Sequence, residues 1–206
     1  MAPTEREVKG DPGHVMPGRR TQAERRATTR AALIDAARAL FAERGFAGTG
    51  REEIVERAGV TRGAMYHHFG SKEQLFRAVY EAVEADVTNA VATAAAASQD
   101  PVAQLRLGAL AFLDVAARPE VRRIVLLDAP SVLAVPVRRD LAERYGLGLV
   151  RDGLQAVMDA GAIAVQPVEP LAHLLLAALH EAATLVADGA DRAVVGATVE
   201  RLLARL

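Results

Sequence analysis

The chain has 206 residues, 51% of them hydrophobic but only 4% aromatic, so its core must come largely from Ala, Leu and Val, a palette that favours helix over strand. It has no cysteine, which excludes disulfides, thiolate zinc sites and cysteine nucleophiles together. The net charge of −1 is unevenly spread, with 14 Lys+Arg against 10 Asp+Glu in residues 1–77 and 11 against 16 beyond; a nucleic-acid module on an acidic body would look like this, and so would a distribution without consequence.

Residues 1–20 carry Pro3, Pro12, Pro17 and three glycines with little apolar periodicity, the composition of a disordered, basic tail. Arg19-Arg20 and Arg25-Arg26 could lie along a DNA backbone or be a solvated leader. The first helix is predicted from Thr21 to Arg44, with Leu33, Ala37, Leu40 and Phe41 as its apolar stripe. Gly45 then suits the left-handed position after the helix, which would fold Phe46 back onto Phe41. A second helix is predicted over 51–58, opened by a capping box in Thr49-Gly50-Arg51-Glu52 and closed by Gly59, with Val60 against Val55. Thr61 caps a third helix over 62–69, and Ser71-Lys72-Glu73-Gln74 is a second capping box, opening a long helix to about residue 96.

Asp100-Pro101 starts a helix to about Arg118, and Pro119 another to about Asp128, before Pro130 and Pro136 interrupt. A helix from about Arg138 to Ala160 ends at Gly161. After the loop 162–167, a very apolar helix spans about 169–187, and Asp191 caps the last one, to Leu206. The fold class is all-α: a three-helix head over 21–75 and a helical body over 76–206. No signal-peptide core and no uncharged membrane span is read, so the expectation is a soluble cytoplasmic protein without membrane contact.

Residues 51–69 are two short helices joined by Gly59-Val60-Thr61, the glycine-containing turn of a DNA-binding helix-turn-helix. Ile54, Val55, Ala58, Val60, Met65 and Phe69 can close the small core between them, leaving Arg62, Gly63, Tyr66 and His67 on the outward face, where such a helix reads base edges. Arg51, Arg62 and Lys72 each stand in the first turn of a helix, beside the positive end of its dipole, which disfavours an unpaired cation by roughly 0.3–1 kcal/mol. A phosphate shared with the helix N-termini would explain the choice, as would neutralisation by Glu52, Glu53 and Glu73. Lys72 is one of two lysines in a chain with 23 arginines.

The run Gly59-Val60-Thr61-Arg62-Gly63-Ala64-Met65-Tyr66-His67-His68-Phe69-Gly70-Ser71-Lys72-Glu73-Gln74-Leu75-Phe76 resembles the DNA-binding domain of TetR-family repressors, and Ala36, Phe41, Gly45, Phe46, Thr49 and Ile54 fall where that family places its first two helices. The resemblance covers about residues 25–80. It implies that Thr49, Thr61, Tyr66, His68 and Lys72 contact phosphates or support such contacts, and that Arg62, Gly63 and His67 approach the bases. Gly50 stands where the family usually has Thr or Ser, which removes a phosphate contact; Met65 replaces the usual Leu with little change of volume. A palindromic operator and a homodimer through residues about 169–205 follow from the same resemblance. Leu171, Leu174, Leu175, Ala178, Leu179, Ala182 and Leu185, with Val194, Val195, Val199, Leu202 and Leu203, could form an internal core alone. The expected reading is that they pair with their symmetry mates as a four-helix bundle, because a palindromic operator needs two recognition helices about one DNA turn apart.

Members of that family enclose an effector pocket behind the head. Phe112, Leu127, His173 and His180, the larger or polar groups on apolar helices, are its candidate lining, and the expected effector is an apolar small molecule, or one with some acidic character. No metal and no cofactor is expected: His67 and His68 point to different faces of a helix, while His173 and His180 are separated by about 10.5 Å of helical rise. Gly146-Leu147-Gly148 follows no strand, so it is not a dinucleotide fingerprint. An enzyme is not expected. The competing function is a helical small-molecule binding protein whose helix-turn-helix no longer engages DNA.

Overall fold

The computed structural model describes residues 21–206, so the predicted tail, 1–20, lies outside the described residues. Every regular element among the described residues is helical. The head is formed by α1 (Gln22–Arg44), α2 (Arg51–Arg57) and α3 (Arg62–His68). The first begins with a capping box, Thr21 Oγ1 accepting from the Glu24 N–H at 3.2 Å and the Glu24 carboxylate from the Thr21 N–H at 2.7 Å. It ends at Gly45, whose φ of +73° only glycine adopts cheaply. The reversal lays Phe46 on Phe41 with ring centroids 5.7 Å apart, as the sequence predicts. The close of α2 is equally regular: Gly59 has φ +63°, and the Val60 N–H donates to Val55 O at 3.2 Å.

The start of α2 departs from expectation. Its N-cap is Gly50 rather than Thr49, and the Glu53 carboxylate, not that of Glu52, accepts from the Gly50 N–H, at 2.9 Å. Thr49 cannot cap because its hydroxyl is turned inward. On α3 the expected cap is made, Thr61 Oγ1 accepting from the Ala64 N–H at 3.2 Å. Helix α4 (Lys72–Ala95) has Ser71 as its N-cap, with Ser71 Oγ accepting from the Gln74 N–H at 3.2 Å. Gln74 reaches back one residue further than predicted, to the Gly70 N–H at 3.0 Å.

One face of α4 is buried along Leu75, Phe76, Val79, Tyr80, Val83, Glu84 and Val87, the i, i+3, i+4 spacing of an amphipathic helix. Its first half closes the head core with Leu33, Phe41, Ile54 and Met65, and its second half enters the body. The boundary expected at 75/76 therefore falls inside a continuous helix.

In the body, α5 (Pro101–Ala116) has Asp100 as its N-cap. The chain then continues as a single rod: α6 (Pro119–Val121), a π-helical stretch Arg122–Asp128, and α7 (Ala129–Val132). The helix predicted to stop before Pro130 runs through it. The Ala129 N–H donates to Ile124 O, five residues back, and such a widened turn seats a residue that has no N–H and whose ring would clash in a regular helix. Likewise α8 (Val135–Ala142) passes through a π-helical stretch, Glu143–Leu147, into α9 (Gly148–Asp159). It begins three residues before the predicted Arg138, because Pro136 falls in the first turn, where a missing N–H costs nothing.

Helices α10 (Val168–Ala187) and α11 (Arg192–Leu203) complete the body. Asp191 caps the latter, accepting from the Ala193 N–H at 2.7 Å. Leu113, Leu147, Leu154, Leu175, Leu179 and Val199 form the centre of this second core. By length and composition α10 is apolar enough to cross a membrane, with mean hydropathy 1.4, although Glu169 and Glu181 interrupt it. Its apolarity serves two sides: Ala172, Leu175, Leu179, Ala182 and Ala183 are buried in the body core, while Leu174 and Leu185 face outward.

Candidate DNA interface and enclosed pocket

The head holds its third helix from beneath and leaves its outer side free. Met65 and Phe69 are buried against Ile54 and the first helix, while Arg62, Gly63, Tyr66 and His67 are exposed on the outer side. These are the four side chains that the sequence places outward. Arg51 joins them from the start of α2, its guanidinium donating to the Tyr66 hydroxyl at 3.1 Å and lying 5.9 Å from the centre of that ring. Arg62 pairs with Glu52; both are well exposed, so the pair is worth little and is readily exchanged. Thr61 spends an oxygen lone pair on its cap and keeps its hydroxyl proton for an outside acceptor.

Three other predicted contacts sit differently. Thr49 is 2% exposed, and its hydroxyl donates to Gly45 O at 2.8 Å, with Leu40 O 3.2 Å away. It closes the α1–α2 turn from within. Lys72 Nζ donates to Phe46 O at 2.8 Å and Thr49 O at 2.9 Å, and lies 4.1 Å from the Phe46 ring centre. Burial moves its pKa down from the usual lysine range. Two of its three donors are thus committed to holding the same turn. His68 is half-buried on the side towards α1, its pKa lowered first by burial and then by His67, Arg26 and Arg30. A neutral ring there packs against its neighbours more readily than it pairs with a phosphate.

The body holds a partly open cavity of about 280 Å³ among α4, α5, α9 and α10. Phe112 and His180, two of the predicted lining residues, face it with their rings edge to face at 5.3 Å. The other two do not. Leu127, within the π-helical stretch, is 44% exposed. His173 lies on the exposed side of α10, opposite Ala172 and Leu175. The lining that sequence reasoning missed includes Glu84 and Thr88 of α4. The signal was present: Glu84 interrupts the apolar stripe Tyr80, Val83, Val87 on the buried face. Among the described residues no group of three His, Cys, Asp or Glu is placed to hold a metal.

Head and body are joined by charged contacts. Arg38 of α1 is bidentate on Glu120 at 2.5 and 2.9 Å and reaches Asp86 of α4 at 2.6 Å. Asp128, at the end of the π-helical stretch, accepts from the Phe46 N–H at 2.7 Å. That bond ties the turn after α1 to the rod of the body. Asp128→Ala leaves this N–H without its charged acceptor and is expected to lower the unfolding free energy by about 1.5–3 kcal/mol. Asp128→Asn, which keeps a neutral acceptor, should lose about half as much or less in urea melts.

A three-helix head that presents one face of its third helix, mounted on a helical body with an internal cavity, defines a helix-turn-helix DNA-binding regulator. The chain belongs to the TetR family of bacterial transcription regulators. Residues 33–79 match the model of bacterial regulatory proteins of the tetR family, and residues 102–206 match that of a tetracyclin repressor-like C-terminal domain. A TetR-family transcriptional regulator from Pectobacterium atrosepticum is 33% identical, with a TM-score of 0.73 over 89% of this chain and 94% of that one. The HTH-type transcriptional regulator AcrR of Shigella flexneri is 34% identical over 99 residues, 48% of this chain and 46% of that protein. The chain thus matches less than half the length of that curated relative. FadR from Bacillus subtilis, solved with stearoyl-CoA, shares the fold at a TM-score of 0.70 with 19% identity, covering 84% of this chain and 97% of that one. The chain is a DNA-binding transcriptional regulator and not an enzyme.

Proposed function

We propose that this regulator is a repressor that binds a palindromic operator as a homodimer and is released when a small molecule enters the cavity of the body. The carrying observation is the sidedness of α3: Met65 and Phe69 are buried while Arg62, Gly63, Tyr66 and His67 are exposed. In this reading Arg62, Gly63 and His67 meet base edges. Arg51, Thr61 and Tyr66 meet phosphates, and Thr49, His68 and Lys72 hold the turn and helix that aim them. Gly63, lacking a side chain, lets the backbone approach the groove closely.

The homodimer is supported by the outer sides of the last two long helices, about residues 169–205. Leu174 and Leu185 on α10 and Val194 and Leu202 on α11 are between 45% and 70% exposed, an apolar surface that a symmetry mate would cover. Such a dimer sets two recognition helices about one DNA turn apart, roughly 34 Å. The work is done in the cytoplasm, where the operator is. Phe112 and His180 line the effector site, and its occupation would shift the dimer away from the DNA-competent spacing.

Selecting bound duplexes from random DNA should yield a two-fold symmetric sequence. Arg62→Ala should then cost about 1–3 kcal/mol on that sequence and relax preference at one position in each half-site. An unsymmetrical selected sequence, or full affinity in the Arg62→Ala variant, overturns the assignment.

A further inference from the structure

We propose that the cavity of the body takes an apolar organic cation, its ammonium head seated against Glu84. The inference rests on the reading of this cavity as the effector site and deepens it. Glu84 is, among the described residues, the one charged side chain buried in the core, at 9% exposure. A carboxylate in that position is costly unless something compensates it. Yet among the described residues that line the cavity there is no lysine or arginine. The groups acting on Glu84 are Tyr80, one helical turn back, and His180, across from α10. Arg138 lies beyond Tyr80. Asp152 of α9 stands exposed at the edge of the same cavity and adds a second negative charge.

One ring nitrogen of His180 is engaged. Its Nδ1 is 2.9 Å from Leu176 O, and since a carbonyl can only accept, that nitrogen carries the proton and donates it. Thr88 Oγ1, one turn along from Glu84, is buried without a hydrogen-bond partner among the described residues and is a second polar atom in the lining. The remaining lining is largely apolar, with Val87, Leu105 and Leu179 among it, and Gly108 and Gly153 leave room where side chains would stand. An anionic head would find no lysine or arginine in the lining to pair with and would lie near the Asp152 carboxylate. An ammonium head meets Glu84, with Thr88 beside it as a further acceptor. The acidic effector that the sequence leaves open is therefore disfavoured.

Burial among apolar neighbours raises the Glu84 pKa. A bound cation favours the carboxylate, so at a pH where the free protein holds Glu84 as the acid, binding converts Glu84–COOH and R–NH3+ into the ion pair and a proton released to solvent. Affinity for the cation then rises with pH, through the range in which the free protein gives up that proton, and levels off above it.

The test titrates the full chain by calorimetry with 6-phenylhexylamine, 6-phenylhexan-1-ol and 6-phenylhexanoate, which share one apolar body. The amine is expected to bind about tenfold or more tightly than the alcohol, and the acid weakest. Amine affinity should increase with pH while that of the alcohol stays flat, and proton release should appear as a dependence on the buffer's ionisation heat. Glu84→Gln should bring the amine down towards the level of the alcohol and change alcohol binding far less. Equal binding of amine and alcohol, or a preference for the acid, overturns the cation assignment and leaves the cavity as an effector site. Failure of all three to bind overturns both readings. Tight amine binding with no change in operator affinity leaves the cation assignment standing and overturns the effector role.

Discussion

Replacing Phe76 with alanine is expected to destabilise the chain by about 3–5 kcal/mol and to remove specific DNA binding with it. The ring is fully buried and meets Phe41 at 5.3 Å and Phe46 at 5.2 Å, both edge to face. These three rings come from three different places: the last turn of α1, the turn after it, and the second turn of α4. Besides Lys72, which ties the start of α4 to the same turn, the head leans on these rings, because α2 and α3 are each only seven residues long and helices that short do not hold themselves. Aromatic pairs of this geometry add about 0.5–1.5 kcal/mol beyond the area they bury. A loss of that size is a large fraction of the 5–15 kcal/mol that stabilises a typical domain. Phe76→Leu, which fills much of the space, should cost less than half of it. Urea melts and a gel shift on the selected operator check both; an alanine variant as stable as the leucine variant would show that the three rings are not the joint.

The head was legible in the sequence because its signals are local. Gly45 and Gly59 announce left-handed positions, Phe46 and Val60 follow where a folded-back residue belongs, and Thr61 and Ser71 precede helices that need acceptors. Each signal spans a few residues and does not depend on what packs from afar. The body was less legible for the opposite reason. On α10 nearly every residue is apolar, so periodicity could not say that His173 faces out while His180 faces the cavity. Leu127 was chosen for its size on an apolar helix, but counting from Val121 and Ile124, which are buried, puts it off the buried face. Pro130 looked like a helix end because the rule assumes a regular turn ahead of it. Glu84 was hidden differently, since a glutamate in a helix usually lies on the solvent side. Only its place within the stripe Tyr80, Val83, Val87 told otherwise.

Lys72 separates two meanings of a cation at a helix start, and Lys72→Met is expected to distinguish them. If the ammonium serves chiefly as a phosphate contact, the variant keeps its stability and loses about one charge from the salt dependence of DNA binding, a slope change near 0.9. The observed geometry favours the other meaning. Nζ bonds the carbonyls of Phe46 and Thr49 and rests on the Phe46 ring, so methionine keeps the apolar stem and loses all three interactions. Charged hydrogen bonds of this kind are worth about 1.5–3 kcal/mol each when buried. For a side chain that is partly exposed the expected total loss is about 2–3 kcal/mol, seen in urea melts. DNA affinity should fall on every duplex alike, since the turn positions Arg51 and α3 together, and the salt slope should stay unchanged. The same turn carries the bond from Phe46 N–H to Asp128 of the body. Lys72 therefore braces from the head side a loop that the body holds from the other. Loosening it should also weaken any effect of a cavity ligand on operator affinity, an outcome that a simple phosphate contact would not produce.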